Sequence, residues 1–137
     1  MTEPAPVCLV SSMPRSKEPS LTSVHPRIRV LHLGAIALGP GKAELLESLS
    51  RTGSLAQTAR ELEMSYMRAW NLVGTMNASF RRPLVATHRG GPGRGGARLT
   101  ATGEQVLLLY RRMQARALRA VKTDVAALRK LLRTRRP

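Results

Sequence analysis

Residues 53–80 read GSLAQTARELEMSYMRAWNLVGTMNASF, and residues 89–99 read RGGPGRGGARL. Ser54 followed three residues later by Gln57 has the form of a capping box, and Leu55, Ala59 and Leu62 recur at i, i+4 and i+7, which predicts a short helix over 54–62. After the two residues Glu63 and Met64, Ser65 can cap a second helix, which runs to Phe80 before Pro83 stops it. On that helix Trp70, Val73, Met76 and Phe80 share a face, so Trp70 is expected in the core as the anchor of the helix. Tyr66, Arg68, Asn71 and Thr75 fall mostly outside that stripe. A strand over 84–87, a loop over 90–96 that holds five of the eleven glycines, and a returning strand over 97–99 make a long-tipped hairpin. Two helices joined by so short a turn favour the crossed helix-turn-helix geometry, and the basic hairpin then serves as its wing.

On the N-terminal side, residues 27–38 (RIRVLHLGAIAL) alternate charged and apolar side chains before becoming apolar, the pattern of an edge strand interrupted at Gly34. Gly39-Pro40-Gly41 suits a helix start, and Leu45, Leu46 and Leu49 form the stripe of a helix over 40–52 that ends before Gly53. On the C-terminal side, an unbroken helical pattern runs from a cap at Thr100 or Thr102 to Leu132, roughly 45 Å of helix at 1.5 Å per residue. Val106, Leu109, Tyr110 and Met113 make its first apolar face. Leu118, Val121, Val125, Leu128 and Leu132 then follow at spacings of 3, 4, 3 and 4, the seam of a coiled coil and the expected dimerisation surface. Residues 1–26 carry five of the nine prolines and too little apolar surface to offset ordering entropy, so a disordered leader is expected there. The expected organisation is a leader over 1–26, a DNA-binding domain over 27–100, a long helix over 101–133 and a basic tail over 134–137. The fold class is mainly α with a small β-hairpin: a winged helix-turn-helix with a long C-terminal dimerisation helix.

The 137-residue chain has 23 Lys and Arg against 8 Asp and Glu, a net charge of +15. Residues 81–137 hold 15 basic and 2 acidic side chains, whereas residues 1–80 hold 8 and 6, so the positive field belongs to the C-terminal part. Such an excess points to a polyanion, either nucleic acid or an anionic membrane. Ten basic residues from Arg111 onward make a membrane-surface helix a competitor, but the seam lacks Trp and Phe, and a dimer contact explains its spacing better. Nothing approaches the apolar run of a signal peptide or a membrane span, and the single cysteine, Cys8, excludes an intramolecular disulfide framework. A soluble cytoplasmic protein associated with the bacterial nucleoid is expected. With only Tyr66, Trp70, Phe80 and Tyr110 as aromatics, base-stacking platforms for single strands have little material, which favours duplex DNA.

The N-terminal turn of a recognition helix points at base edges, so Ser65, Tyr66, Arg68 and Asn71 are the contact candidates: hydroxyls for phosphate or base acceptors, Arg for guanine, Asn for adenine. Arg89, Arg94 and Arg98 of the wing can meet phosphates or a narrow minor groove. The glycine loop lacks the Lys-Ser or Lys-Thr ending of a nucleotide-binding loop and does not run into a helix. His25, His32 and His88 lie on a tail, a strand and the wing, there is no nucleophile elbow, and the few acids fall at helix-surface positions. No enzyme activity, cofactor or metal site is expected.

The segments LGPGKAELLESLSRTGSLAQTARELEMSYMRAWNLVGTMN (38–77) and PLVATHRGGPGRGGARLTATGEQVLLLY (83–110) resemble the N-terminal DNA-binding domain of the molybdate-responsive ModE regulators, winged helix-turn-helix proteins akin to the LysR-type head. The likeness covers about half the chain. Its most specific parts are the Ser-Tyr-x-x-Ala-Trp segment at 65–70 and the glycine-rich wing ending in Leu99-Thr100. The resemblance implies a symmetric dimer, joined through the first helix and the long helix after the wing, on a palindromic operator of molybdate-uptake and molybdenum-enzyme genes. Full-length members continue into molybdate-binding domains, and nothing within these 137 residues resembles one, so no molybdate sensor is expected and a separate sensor or partner protein is implied. Ala101 stands where the family usually has Pro, a mild change at a helix start. The expected function is a sequence-specific, dimeric transcription regulator. The alternatives are a sequence-indifferent architectural protein coating nucleic acid, and an adaptor that pairs with another regulator through its long helix.

Overall fold

The structure, a computed structural model, describes residues 22–88 and 96–133. It is mostly helical with two small antiparallel hairpins. The described elements are β1 (Val30–His32), β2 (Ala35–Leu38), α1 (Pro40–Thr52), α2 (Leu55–Glu61), α3 (Tyr66–Ser79), β3 (Val85–His88), β4 (Gly96–Leu99), α4 (Ala101–Ala120) and α5 (Lys122–Leu131). Residues 26–121 form one compact unit, and α5 belongs with residues 22–25 to another. Residues 1–21, most of the expected leader, and the tail 134–137 lie outside the described residues.

The single strand expected over 27–38 is instead a hairpin. Leu33 (φ 50°) and Gly34 (φ 80°) both take left-handed backbone between the paired residues His32 and Ala35. Positive φ at both central positions is what a two-residue type I′ turn requires, and its twist matches that of the strands it joins. Gly34 is therefore the turn rather than a fault in a strand.

Pro40 stands in the first turn of α1, whose bounds agree with the expected 40–52, and Gly53 ends it by donating its N–H to the Leu49 carbonyl at 2.9 Å. Leu45, Leu46 and Leu49 are wholly buried, as their spacing requires. Between α1 and α2 lies a knot of hydroxyls. Ser48 Oγ donates to Glu61 at 2.9 Å and lies 3.2 Å from Thr58 Oγ1, which is 3.0 Å from Thr52 Oγ1. Thr58 and Ser48 are buried but satisfied, which is the condition for keeping polar groups in a core. Arg51 reaches Glu61 at 3.0 Å, and this bond, with that from Ser48, holds the Glu61 carboxyl below its ordinary pKa. Ser54 caps α2 by accepting from the Gln57 N–H at 3.1 Å, one half of the expected capping box, while the Ser54 N–H donates to Thr52 Oγ1 at 3.2 Å instead of to the Gln57 side chain.

At the start of α4 the cap is Thr100, one of the two expected candidates. Its Oγ1 accepts from the Gly103 N–H at 3.0 Å and donates to the Pro83 carbonyl at 2.7 Å, while its N–H donates to the Leu84 carbonyl at 2.9 Å. The helix lies so close to β3 that a Cβ on Gly103 would stand 2.1 Å from the Leu84 carbonyl oxygen. Further along, Tyr110 is wholly buried and donates to the Ile28 carbonyl at 2.6 Å, which ties α4 to the segment before β1; burial raises its phenol pKa.

Two expectations for this region fail. The inner face of α4 is Gly103, Val106, Leu107 and Tyr110, whereas Leu109 and Met113 are exposed. The one long helix is two, divided at Val121, whose backbone (φ −98°, ψ 9°) sits in the bridge region although its N–H still reaches the Ala117 carbonyl at 3.2 Å. No residue of α5 is buried, and β-branched Val121 and Thr123 weaken the helix where it divides.

Gly103→Ala is expected to lower stability by about 1–3 kcal/mol, because rigid backbone occupies the space of the added methyl. The midpoint of urea unfolding measures it, and an unchanged midpoint would refute the close approach.

Candidate nucleic-acid interface

The chain leaves α2 through a tight C-terminal cap. The Met64 N–H donates to the Ala59 carbonyl at 2.9 Å and the Glu63 N–H to the Arg60 carbonyl at 3.1 Å, with Glu63 left-handed at φ 55°. This is the Schellman pattern with glutamate where glycine is usual. It turns the backbone within 62–65 and starts α3 at once. Ser65 Oγ accepts from the Arg68 N–H at 3.0 Å, so this candidate contact residue is the N-cap, with its hydroxyl hydrogen still free to donate.

The buried side of α3 is Ala69, Val73 and Met76, with Leu72 and Phe80 partly covered. Trp70 is not in the core. It is 45% exposed and stacks on Tyr66, 52% exposed, with ring centroids 6.4 Å apart and planes 20° from parallel. The register of the helix is the reason: Val73, Met76 and Phe80 keep to the core side as expected, but Ala69, one residue earlier, takes its centre, and the buried arc is turned by about 40° so that Trp70 falls outside it. Opposite the core stand Met67, Asn71, Gly74 and Ala78, flanked by Tyr66 and Trp70 on one side and by Arg68 and Thr75 on the other, all exposed. Tyr66, Arg68 and Asn71 are thus all exposed, outside the core stripe, with Tyr66 and Arg68 on opposite flanks and Asn71 between them. Among the described residues, the Arg68 guanidinium and the Asn71 carboxamide have no hydrogen-bond or ion-pair partner. The helix carries no acidic residue.

The β3–β4 hairpin pairs Val85 with Leu99 and His88 with Gly96. Its alternation buries Ala97 and Leu99 and exposes Arg98, the one wing arginine that can be described; Arg89 and Arg94 lie outside the described residues. Two contacts hold this hairpin to the helix pair. The Ala97 N–H donates to the Gly53 carbonyl at 3.2 Å. The Asn77 carboxamide accepts from the Leu84 and Val85 N–H groups at 2.8 and 3.1 Å and donates to the Val85 carbonyl at 3.1 Å. Asn77 escaped the sequence analysis; an amide in the last helical turn before a Pro-containing bend is the signal that could have found it.

Of the seam residues, Leu118 and Val121 at the end of α4, Leu128 on α5 and Leu132 beyond it are exposed, and Val125 is half-buried. Among the described residues no three His, Cys, Asp or Glu side chains cluster to hold a metal, and no helix is long and apolar enough to cross a membrane.

No family model matches the chain. Over 104 residues, 74% of its length, it is 36% identical to the molybdenum-pterin-binding protein MopA of Rhodobacter capsulatus, of which it covers 39%. It is 36% identical over 96 residues to the transcriptional regulator ModE of Yersinia pestis, covering 68% of the chain and 36% of that protein. With the DNA-binding transcriptional dual regulator ModE of Escherichia coli (strain K12) it shares 37% identity over 71 residues, 52% of the chain and 27% of the relative. The chain thus spans less than two fifths of the length of these relatives.

The left-handed Glu63 has a measurable consequence. Glu63→Gly removes the Cβ clash and is expected to raise stability by about 0.5–1 kcal/mol, after glycine's own entropic cost is deducted. Thermal unfolding should report a higher midpoint, and a lower one would contradict the cap geometry.

Proposed function

We propose that this chain is a sequence-specific duplex-DNA-binding transcription regulator of ModE type, in which α2, the 62–65 turn and α3 act as a helix-turn-helix and β3–β4 as its wing. The observation that carries the proposal is the state of α3: its core face is buried while Tyr66, Arg68 and Asn71 stand in solvent, the Arg68 and Asn71 side chains without partners among the described residues, on a helix free of acids. An unneutralised N-terminal turn of that kind suits a major groove, where Arg can grip guanine and Asn adenine in bidentate fashion. Arg98 on β4 is exposed and supplies positive charge for phosphates, and Arg89 and Arg94, between β3 and β4 in the sequence, are proposed to add to it. The similarity to the ModE transcriptional regulators supports transcription regulation, and that to the molybdenum-pterin-binding protein MopA supports molybdenum homeostasis as its field.

Leu118, Val121, Val125, Leu128 and Leu132 are proposed to join two copies, so that two recognition helices meet a palindromic operator. Sedimentation at micromolar concentration should give twice the mass of the chain; a clean monomer would refute the homodimer.

Sequence specificity is tested by enriching duplexes from a random pool with the purified chain and competing the enriched duplex against random DNA at physiological salt. A preference of about a thousandfold or more is expected of a specific regulator. Equal binding would instead mark a sequence-indifferent architectural protein. Arg68→Ala should cost about 1–3 kcal/mol on the enriched duplex and relax preference at one position. An even loss across all sequences would make Arg68 a phosphate contact.

A further inference from the structure

Trp70 is the single tryptophan of the chain, and the fold leaves it half in solvent beside Tyr66. Burying a tryptophan that lies along a helix is the cheapest use of its large apolar surface, so an exposed one on a helix with a well-filled core calls for an occupant. Three features describe what that occupant is. First, the stacked rings form a continuous apolar ledge along one flank of α3, and Met67, 62% exposed, extends the apolar surface across the outer face of the same turn. Second, among the described residues neither the Tyr66 hydroxyl nor the Trp70 indole N–H has a hydrogen-bond partner, so two donors sit on the ledge with no acceptor. Third, the next residue on the i+4 row is Gly74, where an added Cβ would meet nothing within 4 Å. Helical side chains lean toward the N-terminus, so Trp70 leans over Tyr66 and the helix surface C-terminal to it stays bare. An apolar surface carrying free donors, on a helix without acids and with an unpaired Arg68 on its other flank, matches a partner that offers methyl groups together with acceptors.

Resting on the proposal that α3 faces duplex DNA, we infer that the Tyr66–Trp70 ledge is a second determinant of specificity: the rings take thymine C5-methyl groups in the major groove, and the hydroxyl and indole N–H donate to flanking phosphate oxygens. Thymine is the base that adds an apolar group to the major-groove edge, and aromatic side chains are among its contacts. The ledge thus contributes preference for A·T steps on one flank of α3, while Arg68 stands on the other.

The test uses a duplex enriched from a random pool by the chain itself, labelled with fluorescein, with label anisotropy reporting binding and Trp70 emission reporting contact. Saturating duplex is expected to change Trp70 emission in step with anisotropy. Replacing the thymines of that duplex by deoxyuridine, which deletes only the methyl groups, should weaken wild-type binding by about threefold per contacted methyl. Trp70→Ala should weaken binding about tenfold and abolish the uracil effect, whereas Trp70→Phe should keep part of both. The uracil comparison on the wild-type chain needs no variant, so it stands even where Trp70→Ala unfolds. Binding seen by anisotropy with unchanged Trp70 emission and no uracil effect would overturn the ledge and leave DNA reading intact. Trp70 emission that shifts with protein concentration in the absence of DNA would assign the ledge to a second copy and likewise overturn it. Failure of every duplex to bind would refute DNA reading itself, and the ledge with it.

Discussion

Ala69 packs at the centre of the core-facing side of α3, wholly buried, with Val73 and Met76 in the turns that follow. α3 packs against α1 and α2, and Ala69 belongs to the core cluster they share, so a small residue at the centre of that side fits the rotation of α3 about its axis. Everything the helix shows to solvent follows from this rotation. With the core arc turned toward Ala69, the aromatic pair swings out on one flank, Arg68 on the other, and Asn71 stands between them. A larger residue at position 69 would push the helix outward and change the height at which those side chains stand.

The interface is coupled to the rest of the domain by polar contacts that cost little chain length. The hydroxyl knot of Ser48, Thr52 and Thr58 satisfies buried oxygens and keys α1 to α2. Asn77 clamps the end of α3 to β3, the Gly53 carbonyl receives the Ala97 N–H of β4, and Thr100 bonds both Pro83 and Leu84 at the start of α4. The paired strands of the hairpin are therefore indexed to α3 rather than attached loosely after it. Hydrogen bonds of this kind are directional and specific in their partners, so they define position more sharply than apolar contacts do.

Local signals were legible where the chemistry is local. Caps at Ser54, Ser65 and Thr100, the proline start of α1 and the glycine after it each need only a few neighbouring residues, and the structure has them as the sequence predicts. The elements missed were those in which two nearby structures compete. A strand broken by Gly34 and a hairpin turning at Leu33-Gly34 share one alternation pattern. A regular helix through Val121 and two helices divided there share one apolar spacing.

The sequence by itself determined the order of the helices, their caps, the basic hairpin and the polar character of the outer face of α3, because these depend on propensity, capping and charge within a turn or two. Only the tertiary structure decided that Trp70 faces out and Ala69 in. An apolar stripe centred on Ala69 and one that reaches Trp70 share Val73, Met76 and Phe80 and are both compatible with 3.6-residue periodicity, and the choice between them rests on the packing of α3 in the core, which no periodicity encodes. The same holds for Gly103 and Asn77, whose roles exist only because α4 and α3 are brought against the backbone at Leu84 and Val85.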